Sequence, residues 1–213
     1  MKELNCYIEH TNLKPNASIK DIDLLIEQAI KYQFRGICIA PCFVKYAKEK
    51  LKNTNIKVIT VIGFPLGYST TQVKIFEANQ AILDGADEID MVINNSHFID
   101  RKYDIIKDEI NKIKKVISNI TLKVIIETAI LSSQQIIKIS EIILDSGADF
   151  IKTSTGFSSR GASHDDIKLI KSVVKDQKLI KAAGGIKTKQ DALEMIELGA
   201  NTLGCSNSIN FFD

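Results

Sequence analysis

The chain has 213 residues, of which 45% are hydrophobic and 25% charged, an ordinary composition for a globular protein. Its formal net charge of +2 gives no reason to expect a nucleic acid or an anionic membrane surface as a partner. The N-terminus MKELNCYIEHTNLKP has no apolar run of signal-peptide length, and no stretch approaches the length of a spanning helix. We therefore expect one cytoplasmic domain over residues 1–213.

Eight short apolar runs with strand composition alternate with longer segments of helical period, such as residues 22–29 and 105–117. This alternation is typical of βα units around a parallel sheet. We predict strands, in chain order, at residues 6–11, 36–40, 57–63, 88–93, 122–128, 149–154, 179–183 and 202–206.

An internal repeat supports the same division: DGADEIDMV at 84–92, SGADFIKTS at 146–154 and LGANTLGCS at 198–206. Each copy has a glycine suited to a helix C-terminus, then Ala and Asp or Asn, then a strand. Eight such units in a chain of this length favour a single-domain α/β fold, a closed (β/α)8 TIM barrel. A doubly wound open sheet is the alternative.

Charged residues stand inside the predicted strands. Aligning the repeats on their glycines puts Asp90 and Lys152 in the same register as Gly204, and the next strand, KLIKAAGG, carries Lys181 after an Ile-Lys step. One interpretation is a buried ion-pair cluster or lysines that reach water at the strand ends. Burying charge is costly, however, and barrel enzymes carry their functional residues at the carboxyl ends of the strands. The pattern therefore favours a functional site.

Two neighbouring lysines and a carboxylate suit amine chemistry. An isolated lysine is protonated at neutral pH, and a second cation nearby lowers its pKa and makes one amine available. That amine can attack a carbonyl and form a Schiff base, while Asp90 moves protons. The sequence therefore predicts a Schiff-base site.

Glycine and hydroxyl residues follow the last three predicted strands, in STG (154–156), AGGI (183–186) and GCSNS (204–208). Barrels often hold phosphate on backbone N–H groups of such loops. Tight turns alone would also use glycine, but three loops beside the lysines favour an anionic substrate group.

Other reactive side chains give weaker signals. The histidines His10, His97 and His164 share no ligand spacing, and we expect them to be structural or exposed. Cys38 ends a strand and either lines the site or serves as a small apolar residue. Glu127 also ends a strand, and its role stays open between barrel support and pocket polarity. The four cysteines lack the paired spacing of zinc ligands, so we expect no metal site.

Several motifs together resemble the deoxyribose-phosphate aldolase family. They are EHTNLKP (9–15), TVIGFPLG (60–67), ADEIDMVIN (86–94), KVIIET (123–128), FIKTSTGF (150–157) and KAAGGIKT (181–188). The resemblance covers about residues 7–208. It implies a class I aldolase on a TIM barrel that cleaves 2-deoxy-D-ribose 5-phosphate to acetaldehyde and D-glyceraldehyde 3-phosphate. It also implies that no metal or cofactor takes part, and it suggests a homodimer.

The same resemblance assigns roles to residues. It makes Lys152 the Schiff-base lysine, Lys181 the second lysine that lowers its pKa, and Asp90 the proton-transfer carboxylate. It implies a set of substrate-binding residues: Cys38 and Thr155 near the substrate, and Gly156, Gly184, Gly185, Ser206 and Asn207 around the phosphate.

The sequence also departs from the family pattern. Glu9 stands where the family usually has Asp, which lengthens any polar contact by one methylene. Arg160, in SSR (158–160), replaces a glycine-rich stretch and is expected near the phosphate side. Asn207 and Ser208 replace Ser and often Gly, which is expected to weaken the phosphate loop. These departures leave two alternatives: a Schiff-base barrel aldolase for another phosphorylated substrate, and a sugar-phosphate-binding barrel with weakened catalysis.

Overall fold

A computed structural model describes residues 3–212, in which eight parallel strands close into a barrel in chain order. The prediction of a (β/α)8 TIM barrel is confirmed, and the alternative of an open doubly wound sheet is wrong. The strands are β1 (Ile8–Asn12), β2 (Gly36–Ile39), β3 (Lys57–Ile62), β4 (Glu88–Val92), β5 (Thr121–Ile125), β6 (Phe150–Lys152), β7 (Leu179–Ala183) and β8 (Thr202–Cys205).

Helices surround this barrel. They are α1 (Ile19–Lys31), α2 (Val44–Leu51), α3 (Thr71–Leu83), α4 (Asn95–Ile99), α5 (Tyr103–Ile117), α6 (Ser133–Leu144), α7 (His164–Val174) and α8 (Lys189–Glu197). Capping boxes start α1, α6, α7 and α8, each with a Ser or Thr side chain that accepts from the backbone three residues on. No helix within residues 3–212 is long and apolar enough to cross a membrane.

Three predicted strands have an end that differs from the structure by two or more residues. The run at 122–128 leaves the strand after Ile125 because Glu127 adopts a left-handed backbone conformation. The first run begins as a 3-10 turn, Leu4–Tyr7, before β1. Strand β6 ends at Lys152, although the N–H of Thr153 still donates to the carbonyl of Lys181.

The internal repeat has a structural cause. In each copy the Asp or Asn before the strand accepts a hydrogen bond, at 2.8 Å, from the backbone N–H of the preceding strand. The pairs are Asp87 with Val58, Asp149 with Leu122, and Asn201 with Ile180. These contacts fix the stagger of β3 on β4, β5 on β6 and β7 on β8. The repeat therefore records how strands are joined in pairs at the amino-terminal end of the barrel.

The main apolar core lies between the helices and the outer face of the barrel and is rich in isoleucine. Inside the barrel a smaller apolar cluster joins Cys38, Ile59 and Val61. The remaining interior holds buried charged side chains. Those charges are the basis of the candidate site.

Candidate active site

Strand register brings the predicted lysines and carboxylate together. Lys152 of β6 lies directly opposite Lys181 of β7. The Nζ atoms of Lys152 and Lys181 lie 2.8 Å and 2.7 Å from the same oxygen, Oδ2 of Asp90. All three side chains are buried. The structure therefore joins in one site the three residues that the sequence predicts to act together.

Four more charged residues, which the sequence analysis did not place in the site, continue the network of ion pairs from Asp90 and Lys181. Lys123, opposite Asp90 in register, has its Nζ 3.1 Å from Asp90 Oδ1 and 2.6 Å from Glu88 Oε2. Arg35 binds Glu88 at 2.5 Å and Glu9 at 2.8 Å. Glu9 in turn binds Lys181. We call these seven residues the charge ladder: Glu9, Arg35, Glu88, Asp90, Lys123, Lys152 and Lys181.

Residues in the ladder could have been found from strand period. Glu88 and Asp90 are two apart in β4 and so face the same side, and Lys123 stands beside them in β5. Gly204 occupies the same register as Asp90 and Lys152 but has no side chain. A Cβ at this position would lie 3.2 Å from the Cε of Lys181. The repeat thus uses glycine where a neighbouring lysine needs the space.

Glu9 contacts Lys181 directly despite replacing the usual Asp, so its longer side chain forms a closed network with Arg35. Burial alone raises the pKa of Glu9, but the charges of Lys123 and Lys181 hold that pKa below its usual value. The extra methylene is therefore accommodated inside the barrel.

Charge on the ladder is fixed by opposite neighbours. Burial by itself raises the pKa of Asp90, yet Lys123, Lys152 and Lys181 together hold it well below its usual value. Burial also works against the charge of Lys181, but Asp90 and Glu9 raise its pKa above the usual value. Asp90 is therefore a carboxylate and Lys181 a cation at neutral pH.

One cavity, of about 650 Å³, opens onto this ladder at the carboxyl ends of the strands. Lys152 is the member of the ladder that lines it within residues 3–212. Six of the predicted substrate-binding residues also line the cavity: Thr155, Gly156, Gly184, Gly185, Ser206 and Asn207.

Cys38 is not among the residues that line the cavity. Cys38 is buried against Ile59 and Val61, and burial raises the pKa of its thiol. The charge of Lys181 lowers this pKa and that of Asp90 raises it, but burial has the larger effect. Here Cys38 packs as a small apolar side chain next to the ladder.

The three glycine loops converge as the sequence predicts. Gly156, Gly184 and Gly185 have φ values of 88°, 75° and 76°, a backbone region that favours glycine. Gly161 approaches so closely that a Cβ there would lie 2.2 Å from the carbonyl carbon of Gly184. The N–H of Ala162 donates to the carbonyls of Ala183 and Gly184, at 3.0 and 3.1 Å. The β6 and β7 loops therefore form one packed wall.

Arg160 is not among the residues that line the cavity, although it binds the carbonyl of Gly161 beside the glycine wall, so its expected place near the phosphate side stays a prediction. Its guanidinium binds both carboxylate oxygens of Asp166, at 2.5 and 3.1 Å, and the carbonyl oxygen of Thr128 at 3.1 Å. Asp166 is the third residue of α7. Arg160 thus fastens the β6 loop to α7 and to the loop after β5.

Ser208 also has a definite role. Its Oγ lies 2.7 Å from His10 Nδ1, and His10 Nε2 lies 2.8 Å from Gln28 Oε1. Burial lowers the pKa of His10, so the ring is neutral and can serve both contacts. The hydrogen-bonded series Gln28–His10–Ser208 holds the loop after β8 in place. This support acts against the weakening of the phosphate loop that the sequence leads us to expect from Ser208.

The remaining candidates take no part in the site. His164 lies at the protein surface, with its Nε2 3.2 Å from Glu194. His97 is half-buried in α4, away from the ladder. Within the described part of the chain, no group of three or more His, Cys, Asp or Glu side chains is placed to hold a metal ion.

The closed barrel, with a buried lysine at the floor of a glycine-walled cavity, defines a (β/α)8 barrel aldolase. The chain belongs to the DeoC/LacD family of aldolases, whose family model matches residues 7–205. The deoxyribose-phosphate aldolase of Metamycoplasma hominis is 57% identical over 212 residues, which cover 100% of this chain and 98% of that protein.

Solved structures agree with this assignment. The aldolase QR15 superposes with a TM-score of 0.95 and 40% identity, over 99% of this chain and 95% of that one. A tetrameric deoxyribose phosphate aldolase from Aeropyrum pernix superposes with a TM-score of 0.90 and 28% identity, over 97% and 88% of the two chains. The family resemblance predicted from the motifs is therefore confirmed.

Proposed function

We propose that this chain is a class I aldolase that reversibly cleaves 2-deoxy-D-ribose 5-phosphate to acetaldehyde and D-glyceraldehyde 3-phosphate, with Lys152 as the Schiff-base residue. One observation carries the assignment to Lys152. Lys181 and Lys123 are fully buried and pair with two and three carboxylates respectively, whereas Lys152 pairs with Asp90 alone and lines the cavity. Lys152 is therefore the lysine that can meet a substrate carbonyl.

The reaction begins when the neutral amine of Lys152 attacks C1 of the open-chain sugar and water leaves to give an iminium. The C2–C3 bond then breaks, its electron pair moves into the iminium to form an enamine, and the C3 hydroxyl loses its proton as the aldehyde forms. Glyceraldehyde 3-phosphate departs. Protonation of the enamine at C2 and hydrolysis release acetaldehyde and restore Lys152.

Asp90 and Lys181 supply the proton transfers at C2, C3 and the carbinolamine, exchanging protons with water. The fixed cation of Lys181 also favours the neutral form of the neighbouring amine, since two adjacent positive charges repel. Because both Lys152 and Lys181 contact one carboxylate oxygen, these groups are already arranged before substrate binds.

The phosphate is held at the glycine-walled end of the cavity. Gly156, Gly184 and Gly185 present backbone there without side chains, and Ser206 and Asn207 complete the wall from the β8 loop. Backbone N–H groups at such turns bind anions.

The cytoplasmic location expected from the sequence stays a prediction.

A coupled assay for glyceraldehyde 3-phosphate release from deoxyribose 5-phosphate tests the proposal. Lys152→Met should lower kcat at least about 1,000-fold because the covalent route is lost. Lys74→Met is the matched control. Lys74 is also fully buried, and it binds Glu109 at 2.8 Å outside the barrel interior. That variant should lose stability but keep its kcat.

Two outcomes would contradict the proposal. Saturable binding of deoxyribose 5-phosphate with no product from the wild-type protein would indicate a binding protein without turnover. Turnover of a different phosphorylated sugar alone would indicate an aldolase of other specificity.

A further inference from the structure

Glu127 stands immediately beyond β5 in a conformation that needs an explanation. Its φ and ψ are 57° and 67°, in the left-handed region, which disfavours a residue with a Cβ. Its side chain is buried and forms no ion pair among residues 3–212. The charge of Arg160 acts on Glu127 without a close ion pair, so this buried carboxylate also needs hydrogen-bond donors.

Those donors come from one residue, Thr155. The Thr155 Oγ lies 2.5 Å from Glu127 Oε2, and the Thr155 N–H lies 3.3 and 3.4 Å from the two carboxylate oxygens. A separation of 2.5 Å is characteristic of a hydroxyl that donates to a carboxylate. The hydroxyl proton of Thr155 is therefore committed to Glu127.

A hydroxyl has one donor and two acceptor sites. The N–H of Phe157 donates to Thr155 Oγ at 3.0 Å, which uses one acceptor site. The other acceptor site remains, and Thr155 lines the cavity between Lys152 and the glycine loops. In this arrangement Thr155 can accept a hydrogen bond from the substrate but cannot donate one.

We propose that Glu127 is a positioning residue that makes Thr155 an acceptor for the C4 hydroxyl of the sugar. This inference rests on the proposed function. Lys152 holds C1, and the loop at Gly156, next to Thr155, holds the phosphate on C5. The C4 hydroxyl is the donor nearest the phosphate end, and it survives cleavage as the 2-hydroxyl of glyceraldehyde 3-phosphate.

An alternative role for Glu127 is to link the β5 and β6 loops without influencing the substrate. Other contacts already make that link: the N–H of Thr128 donates to the Thr153 carbonyl at 2.9 Å, and Arg160 binds both the Thr128 carbonyl and Asp166. A buried carboxylate is therefore not required to join the loops, which favours a role through Thr155.

Synthesis from acetaldehyde and two acceptors tests the proposal: D-glyceraldehyde 3-phosphate, and propanal 3-phosphate, which lacks the 2-hydroxyl. Glu127→Gln and Thr155→Val should each lower kcat/KM for the hydroxylated acceptor about 10-fold, as expected for one buried hydrogen bond. Each should leave the deoxy acceptor within about twofold of the wild type. The double variant should be no worse than the poorer single variant. Thr155→Ser, which keeps the hydroxyl, should retain the preference.

Equal losses for the two acceptors, or additive losses in the double variant, would overturn the proposal and show a loop-stabilising role only. Thr155→Val tests only the acceptor role of Thr155, so if Glu127→Gln does not fold, Glu127→Asp takes its place, because its carboxylate is one methylene further from the Thr155 hydroxyl. Trapping of acetaldehyde on the wild-type protein with borohydride separates the two hypotheses, since acetaldehyde has no hydroxyl. If acetaldehyde is trapped at Lys152 of the wild-type protein but the variants keep the wild-type acceptor preference, only the inference about Glu127 is refuted. If no acetaldehyde is trapped on the wild-type protein, the proposed function is refuted.

Discussion

At the scale of single residues, the charge ladder alternates in sign, so each buried ion has an opposite partner. Taking such ions out of water costs several kcal/mol each, and only close partners offset that cost. Apart from Lys152, the ladder has three cations and three carboxylates, so their charges balance at 3 − 3 = 0. The amine of Lys152 therefore adjoins a network whose charges already compensate one another.

The ladder predicts how stability depends on pH. The pKa values of Asp90 and Glu9 are lower in the folded protein than in the unfolded chain, where they are about 4. Their contribution to the free energy of unfolding is therefore complete above about pH 4 and is lost as pH falls through the folded pKa values. The pKa values of Lys123 and Lys181 are higher in the folded protein than in the unfolded chain, where they are about 10.4. The contribution of these two lysines to the free energy of unfolding is therefore complete below about pH 10.4 and is lost as pH rises through the folded pKa values.

Urea unfolding across pH should therefore give a free energy of unfolding that is level between about pH 5 and pH 10 and falls on both sides. In Lys181→Met the alkaline decline should shrink, because one of the two raised lysines is gone. A free energy that increases from pH 5 to pH 3 would contradict the described ladder.

Residue-level prediction from the sequence succeeded where a repeat marked the position. Asp90 and Lys152 share an offset from a repeated glycine, and the Ile-Lys step pointed to Lys181. Arg35 and Glu127 had no such mark, since their partners are distant in sequence. Glu127 gains its meaning from Thr155, 28 residues away, through a backbone turn that Glu rarely adopts.

At the scale of elements, the wall of the cavity depends on contact between two loops. Gly161 touches the backbone of Gly184, which cannot move aside as a side chain could. The glycine-rich sequence predicted loops that converge, but not this contact, because Gly161 belongs to the β6 loop and approaches only once the barrel has closed.

Gly161→Ala should push the β6 loop away from the β7 loop and raise KM for deoxyribose 5-phosphate about 10-fold or more, as loss of a positioned anion site requires. Gly156→Ala is the comparison, since a Cβ there meets nothing within 4 Å and the cost is only that of φ 88°. Gly156→Ala should therefore raise KM for deoxyribose 5-phosphate less than Gly161→Ala does. Steady-state kinetics at equal folded fraction provides the measurement, and an unchanged KM in Gly161→Ala would contradict the packing described.

Element boundaries followed the sequence except where side-chain contacts decide them. The predicted strand at 122–128 passed over the turn at Glu127, since IIET has strand composition. Likewise, nothing local in SSR distinguishes an arginine in the cavity from one that binds Asp166 of α7.

At the scale of the whole molecule, α3 carries apolar side chains on its outer face. Val73, Phe76 and Leu83 are exposed, Phe76 and Leu83 by 71% and 80%. Leu66 and Tyr68, just before α3, are exposed as well. Such patches on folded proteins are frequently covered by a partner. The homodimer expected from the family resemblance would cover it.

Phe76→Glu should therefore convert a self-associated form into a monomer, with about half the molar mass or less by light scattering during size-exclusion chromatography. Leu24→Glu, on the side of α1 that lines the cavity, is the control and should not change the mass, although Leu24 is 53% exposed. A wild-type protein that is monomeric at micromolar concentration would contradict this prediction.

The most direct test of the assignment to Lys152 is reduction with borohydride in the presence of acetaldehyde, followed by intact-mass and peptide mass spectrometry. Reduction converts the imine to a stable ethyl group, so we predict one added ethyl per chain, mapped to Lys152 and absent from Lys152→Met. The buried lysines Lys181 and Lys123 should stay unmodified. No adduct on the wild-type protein, or an adduct that maps to Lys181, would contradict the assignment of Lys152 as the Schiff-base residue.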